Sequence, residues 1–419
     1  MSASATPRPL RRDRPVQGWV AVGALSDVGD AAWSVALAWT AVQVASPAVA
    51  GLVIAAGRVP MALMLLVGGV VADRVDTRRL LVVTDLLRAV VLVLAAAGTW
   101  AHLASVPLLL TVSVLFGVAD AFYAPAAGTF PRQLVGTDDL AAFLGAKQAA
   151  SRLGGMLGGA LGGVLVALWG LPGSALVDAA SFTVLAAYVV VLLRPRHRVP
   201  RSTDTSVLAG VADGFRHLRS ERLTRTLVLT LSGTNLAITP ALSIGVALRV
   251  SVEGWGAHTL GLADAAFGLG AIVGSLAGTL HKPRRIAVWG FGALVLQGSL
   301  IVVLAAGPRV ALLATAAAIG VTAGVASTLL GSVFMTVVDP VYLGRMASIQ
   351  ALGDNVAMPA ATAAFGALAA ATATGVPFLA YGCVMVLLML SALARPAIRG
   401  LLSPAPAWAP EPAWHPASS

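Results

Sequence analysis

Several ionisable side chains lie inside long apolar runs of this 419-residue sequence. Asp27 and Asp30 fall in the first run, and Arg58 falls in the second. A charge at the centre of a lipid bilayer costs at least about 2.5–3.5 kcal/mol, so such residues usually pair or move ions. A carboxylate beside a cation stays ionised until the pair weakens, and it can then take up a proton. These residues therefore indicate proton chemistry inside a membrane.

Asp30 and Arg58 lie at comparable depth, counted from the connection between their two runs at about 1.5 Å per residue. Antiparallel neighbouring helices would allow an Asp30–Arg58 ion pair. Two roles remain open for this pair, namely proton coupling and a fixed contact that holds one conformation. Asp27 lies one turn before Asp30 on the same helical face. It is a candidate for a second protonation site or for part of a cavity wall.

Three further charges lie nearer the inner ends of their runs. Asp120 is interpreted as a gate on the inner side or as the partner of an inner-face arginine such as Arg152. Asp85 and Arg88 are spaced i, i+3, so we expect them to pair with each other or with the loop that precedes them. Either outcome would give these two residues a structural role.

Polar and aromatic residues elsewhere in the runs are candidates for a substrate cavity. Asp354 is the best polar candidate in the second half of the sequence. Asp178 and Asp264 lie toward outer ends, where water is close, and we expect them to be wetted only. Aromatic and amide side chains suit amphipathic cargo, and the cavity candidates are Trp33, Tyr123, Asn235 and Gln350.

The composition identifies the elements that must position these residues. Hydrophobic residues make up 58% of the chain and charged residues 11%, about half the charge of a soluble domain. The runs have the roughly 20-residue length of a membrane-spanning helix, which satisfies its own backbone in lipid. The predicted fold is an all-α membrane protein with twelve transmembrane helices in two pseudo-symmetric six-helix halves. We place the spans at residues 19–42, 49–71, 80–100, 106–127, 140–168, 171–193, 223–250, 259–280, 286–306, 310–338, 346–371 and 376–394.

The basic residues fix a predicted orientation. They cluster at the N-terminus, in the long central connection and in alternate loops, which places both termini in the cytoplasm. The net charge of +10 is therefore assigned to topology and lipid headgroups rather than to nucleic acid, and the arginine-rich usage suggests a bacterial cytoplasmic membrane. The predicted divisions are an N-terminal tail (1–18), a first half (19–193), a basic linker (194–222), a second half (223–394) and a proline-rich tail (395–419).

Small residues and an internal repeat support close packing of two similar halves. Gly154, Gly158 and Gly162 are four residues apart, a spacing that lets helices approach closely. The segment that begins at Gly68 aligns without gaps to the one that begins at Gly274. Parallel six-helix repeats are a transporter plan in which the substrate lies between the halves.

The loop from Gly69 to Leu80 resembles the cytoplasmic loop motif of the major facilitator superfamily. Asp76 and Thr77 depart from the motif, and an aspartate at position 76 is typical of the drug:proton antiporter branch that includes macrolide-efflux proteins and the enterobactin exporter. The resemblance implies a conformational switch built from this loop and the start of the next span. Its candidate residues are Gly69, Asp73, Arg74, Arg78, Arg79, Asp85 and Arg88.

The resemblance implies a proton-driven exporter of amphipathic small molecules such as a drug, an antibiotic or a siderophore-like metabolite. We expect no cofactor, no metal, no enzymatic activity and no ATP, because no phosphate-binding loop is present in the sequence. The expected partners are the substrate and membrane lipid, and the expected state is a monomer. Two alternatives stay open: a proton-coupled uptake symporter for a nutrient or lipid, and a non-transporting membrane scaffold.

The loop motif generates a first prediction. Its charges would pair with neighbouring helix ends in one conformation and release them in the other, which supplies a bistable element. Asp73→Ala should therefore slow turnover in proteoliposomes without reducing the amount of protein inserted in the membrane. A wild-type transport rate at equal protein abundance would contradict this role.

Overall fold

The computed structural model describes residues 13–60, 63, 76–101, 105–197, 207–281, 283–339 and 342–401. The regular elements within these ranges are all helices. The loop residues Gly69, Asp73 and Arg74 lie outside the described ranges. The same holds for most of the N-terminal tail and for 402–419 of the proline-rich tail.

The first half consists of six helical segments. They are α1 (Arg14–Val44), α2 (Pro47–Ala56), α3 (Thr77–Trp100), α4 (Val106–Leu134), α5 (137–169) and α6 (171–192). α5 and α6 follow each other within one helical stretch, Thr137–Leu192, which Gly170 interrupts with φ 64° and ψ −162°. Glycine adopts a positive φ without steric penalty, so this single residue ends one span and begins the next.

The second half follows a linker helix, Val207–Ser220. It consists of α7 (Arg222–Val252), α8 (Ala257–Leu280), α9 (Ile286–Val303), α10 (Arg309–Val337), α11 (Leu343–Ala371) and α12 (Val376–Leu393), and a short α13 (Pro396–Arg399) ends the described chain. α7 widens into a π-helical turn at Ala241–Gly245, directly after Pro240, which has no N–H to continue the α-helical ladder.

The described helices fit twelve spans. Nine are long and apolar enough to cross a membrane, and one of these, Asp139–Leu192, contains both α5 and α6. The other two spans are α2 and α11. The structure describes the first, apolar part of α2, and α11 is 29 residues long. The prediction of an all-α membrane fold is confirmed, and the described helices are consistent with twelve transmembrane spans.

Glycines bring α5 against α1 in the first half. The three glycines singled out in the sequence all face α1: Gly154 faces Ala24 and Asp27, Gly158 faces Val28 and Ala31, and Gly162 faces Ala32 and Val35. A Cβ atom at Gly158 would lie 2.8 Å from the Ala31 Cβ. The helices are therefore parallel and too close for side chains along this face.

The two halves meet at one end of the bundle through α5–α8 and α2–α11. A Cβ at Gly163 would lie 2.9 Å from the Cα of Gly261, and a Cβ at Gly51 would lie 3.3 Å from the Cα of Gly366. This end carries the α1–α2 and α7–α8 connections and is the predicted outer side. The halves are therefore closed against each other there.

The glycine face between α1 and α5 generates a second prediction. Gly158→Ala places a methyl group against the backbone of α1 and should destabilise the protein by about 1–3 kcal/mol, because overpacked cores must shift. The apparent melting temperature of the detergent-purified protein should fall. Gly155→Ala is the matched control, since a Cβ at Gly155 meets nothing within 4 Å. Equal melting temperatures for the two variants would contradict the close approach.

Candidate functional site

The guanidinium of Arg88 is the centre of the polar interior of the first half. Arg88 lies on α3, about 16 Å along the helix from its start, and only 4% of the residue is exposed. Its Nη1 atom is 3.3 Å from Asp85 Oδ1, and Nη2 forms an ion pair with Asp120. A planar, weakly hydrated guanidinium also stacks on aromatic rings, and Arg88 lies 4.1 Å from the ring centre of Tyr123 and 5.0 Å from that of Phe182.

The two partners of Arg88 have different access to solvent. The Asp85 side chain is 1% exposed, whereas that of Asp120 is 41% exposed. The structure thus pairs Asp85 with Arg88 as the i, i+3 spacing predicted. It also corrects the suggested Asp120–Arg152 pair, because Arg88 reaches Asp120 from the neighbouring helix α3. Arg88 therefore joins a buried carboxylate to an accessible one.

Asp30 faces this cluster from α1. It lines a small cavity of about 60 Å³ together with Asp27, Arg88 and Tyr123. Among the described residues no ion pair joins Asp30 to Arg58, so that predicted pair is replaced by the proximity of Asp30 to Arg88. The reason is that α2 packs against α4 and α11. The positive charge of the exposed Arg58 therefore acts electrostatically on Asp120, which lies on α4.

Lys147 and Asp178 complete the cluster from α5 and α6. The Lys147 Nζ lies 4.9 Å from the ring centre of Trp19, and its charge acts on Asp27, which also hydrogen-bonds to Ser151. Asp178 is fully buried, accepts a hydrogen bond from the Ser181 hydroxyl at 3.1 Å and lies within electrostatic reach of Asp30. The expectation that Asp178 is merely wetted at an outer end is therefore wrong.

The second half contains fewer charges and more amides. The Asn235 Nδ2 on α7 donates to Asp354 Oδ2 on α11 at 2.8 Å, so two of the predicted residues meet. Asn235, Gln350 and Gln297 line a space of about 500 Å³. Gln297, on α9, is fully buried, and both of its side-chain polar atoms lack a hydrogen-bond partner among the described residues.

Three adjoining spaces form a central cavity between the halves. They have volumes of about 270, 700 and 500 Å³, and Phe267 on α8 contributes to the wall of all three. Their walls come from α1 and α5 on one side and from α7, α8, α9, α10 and α11 on the other. Trp33 is not part of this wall, because it is 3% exposed and packs on Phe116 inside the first half.

Asp264 is the carboxylate of the central cavity, a role that its sequence context does not predict. It lines both the 270 Å³ and the 700 Å³ space, about 10 Å along α8 from its start. The sequence does not predict this role because it does not show that α8 lies against α5 there. Within the described residues no group of three or more histidine, cysteine, aspartate or glutamate side chains could hold a metal ion.

The described part of the loop motif has helix-end partners. Asp76 caps α3 by accepting a hydrogen bond from the Arg79 backbone N–H at 2.8 Å. The Arg78 Nε donates to the carbonyl oxygen of Val189, in the last turn of α6, at 3.2 Å. A cation at a helix C-terminus is favourable, so Arg78 ties α3 to α6 in this conformation.

This arrangement of two six-helix halves around a cavity agrees with a known family. The sequence pattern of the Major Facilitator Superfamily matches residues 20–296, more than half of the chain. The chain belongs to this superfamily. Membership makes it a multi-pass membrane transporter rather than an enzyme, with a small molecule as substrate. No curated protein matches this superfamily member closely in sequence.

Solved superfamily structures share the fold at low sequence identity. The chain is similar to the nucleoside transporter NupG, with 15% identity, a TM-score of 0.67 and coverage of 90% of this chain and 98% of the other. It is also similar to a D-xylose-proton symporter, with 15% identity, a TM-score of 0.65 and coverage of 90% and 96%. It is also similar to a bacterial homologue of the human lysosomal transporter Spinster in an inward-facing and occupied conformation. The identity is 14%, the TM-score is 0.65, and the match covers 90% of this chain and 92% of the other.

The buried cluster generates a third prediction. Arg88→Met leaves Asp85 buried without its cation, and loss of one partner of a buried pair costs about 3–5 kcal/mol. The apparent melting temperature should fall sharply, and adding Asp85→Asn should restore part of it. Arg58→Met removes an exposed arginine and should leave the melting temperature close to that of the wild type. A mild effect of Arg88→Met that Asp85→Asn does not alter would contradict the pairing.

Proposed function

We propose that this protein is a proton-coupled secondary transporter that exports amphipathic small molecules from the bacterial cytoplasm by alternating access. The observation that carries the proposal is the charge imbalance around Arg88. Two cations, Arg88 and Lys147, share the polar interior of the first half with the carboxyl groups of Asp27, Asp30, Asp85, Asp120 and Asp178. Isolated anions are costly in a low-dielectric interior, so this imbalance favours a cluster that holds protons.

Asp30 is the carboxylate through which the cluster would exchange its proton. It lies on α1, beside Arg88 and next to the small cavity that also contains Asp27. Protonation of Asp30 weakens its attraction to Arg88. The guanidinium then interacts mainly with Asp85 and Asp120. A shift of Arg88 between these partners would link proton binding to the relative position of α1, α3 and α4.

The packing between the halves supports alternating access. Glycine contacts close the predicted outer end, and the 700 Å³ space extends along α5 toward the predicted inner end as far as Ala149. This combination fits an inward-facing conformation. Rocking of the halves about the α5–α8 and α2–α11 contacts would close the inner end and open the outer one.

Export of amphipathic cargo is favoured by the cavity wall and by the resemblance to drug:proton antiporters. Much of the 700 Å³ space is lined by apolar side chains such as Met156, Phe267 and Ile272. A proton-coupled uptake symporter is the second candidate, because the amides of the second half suit a polar nutrient and a similar fold serves a D-xylose-proton symporter. We further propose a monomer with both termini in the cytoplasm.

The fourth prediction tests coupling at Asp30. Asp30→Asn should lower proton-driven efflux of a fluorescent drug such as ethidium from proteoliposomes by about tenfold or more, and the residual flux should lose its pH dependence. Glu253→Gln removes an exposed carboxylate at the end of α7 and serves as the control. Unchanged transport and pH dependence in Asp30→Asn would remove the coupling role. Accumulation driven inward by the gradient would favour the symporter, and the absence of any flux would favour the scaffold.

A further inference from the structure

Asp264 differs from the carboxylates of the first half because it has no cationic partner. Among the described residues no hydrogen bond or ion pair reaches its side chain, which is half-buried. The side chain is instead part of the wall of two spaces of the central cavity. A carboxylate placed this way has an unmet requirement for a positive charge.

The backbone of α5 makes room for this side chain. A Cβ at Gly159 would lie 2.7 Å from the Asp264 Cβ, so α5 can carry only a glycine opposite Asp264. One turn further along, Gly163 and Gly261 bring the two backbones together. Asp264 is therefore held directly below the contact between the two halves, on the cavity side.

The cavity around Asp264 has few other charges. Of the described residues, Arg152 is the one other charged residue that lines the three spaces. It lies seven residues before Gly159 on α5, about 10 Å along the helix toward the predicted inner end, and it is exposed. Water and counterions screen the exposed charge of Arg152, whereas the less exposed Asp264 is screened less.

We propose that Asp264 binds the positively charged group of an organic monocation whose apolar body occupies the 700 Å³ space beside it. This assignment of a substrate class rests on the proposed transport function. Ligand cavities of drug-sized molecules have volumes of about 300–1,000 Å³, so the space is large enough. Phe267 lines the same space and offers an aromatic face for a cation, and Met156 offers an adaptable apolar surface.

The same carboxylate makes cation binding sensitive to protons. A protonated Asp264 has no net charge and loses its attraction for the ligand, so the two compete for one site. Among the described residues, the groups that line the same spaces from the other helices include no second carboxyl group and no imidazole. They are Ser34 on α1, Thr239 and Ser243 on α7, Met156 and Arg152 on α5, and Ser327 on α10. Competition at Asp264 would exchange substrate for a proton inside the cavity.

The fifth prediction measures binding without any gradient. The purified full-length protein is titrated with tetraphenylphosphonium and with tetraphenylborate, which match in size and differ in the sign of their charge. Wild-type protein should bind the cation more tightly, and its affinity should fall as the pH is lowered, because protons compete with the cation for the carboxylate. Asp264→Asn should weaken cation binding by about tenfold or more and abolish the pH dependence, while Glu253→Gln should change neither.

Further variants guard against trivial loss of structure. Removal of an unpaired carboxylate should not unfold the protein, and thermal unfolding of Asp264→Asn tests this. Asp264→Glu should retain cation binding, because it keeps the carboxylate. Tighter binding of tetraphenylborate than of the cation, or wild-type cation binding in folded Asp264→Asn, would overturn the proposal.

The binding assay separates this proposal from the proposed function. Asp30→Asn should keep cation binding and its pH dependence, because Asp30 does not line the central cavity. Cation binding that depends on Asp264 without proton-driven efflux would overturn the transport function and support the site. Proton-driven efflux that is unchanged in Asp264→Asn would support the transport function and overturn the site.

Discussion

A charge removed from water needs a partner, and the interior of this protein is organised around that requirement. Arg88 meets it in the first half by contacting two carboxylates and stacking on aromatic rings. α1, α3, α4 and α6 each bring a side chain to this guanidinium or to its immediate neighbours. The helices of the first half are therefore positioned by one cation as well as by apolar packing.

The second requirement is that the halves meet without locking together. Glycine-to-glycine contacts satisfy it, because they bring backbones close while involving few side chains and no ion pair among the described residues. The Gln43 amide adds one hydrogen bond across the halves, to the Ser251 hydroxyl at 2.9 Å. Such an interface can open at modest cost, and this is the property that a rocking transporter needs.

Much of the fold could be predicted from sequence, because lipid imposes a simple rule on length and polarity. The break between spans five and six was predicted between residues 168 and 171, and Gly170 lies there. Arg88 and Asp85 were also found as a pair from their helical spacing. These features depend on local sequence and on the environment of a single helix.

Contacts between distant helices could not be predicted in the same way. Depth along a helix suggested an Asp30–Arg58 pair, but depth does not specify which neighbour a helix faces, and α3 supplied the cation instead. Asp178 and Asp264 were assigned to wet outer ends for the same reason. One lies in the core of the first half and the other between the halves, and only the packing of α6 on α1 and of α8 on α5 decides this.

The single-residue junction at Gly170 has a mechanical consequence. α5 carries the glycines that contact α8, and α6 carries Asp178 beside the Arg88 cluster. No loop separates the two helices, so a displacement of one relative to the other must be taken up at Gly170 itself. Movement of α5 at the cavity wall would therefore reach α6 through this one residue, and under the proposed function it would connect the substrate cavity to the buried carboxylates by a direct covalent link.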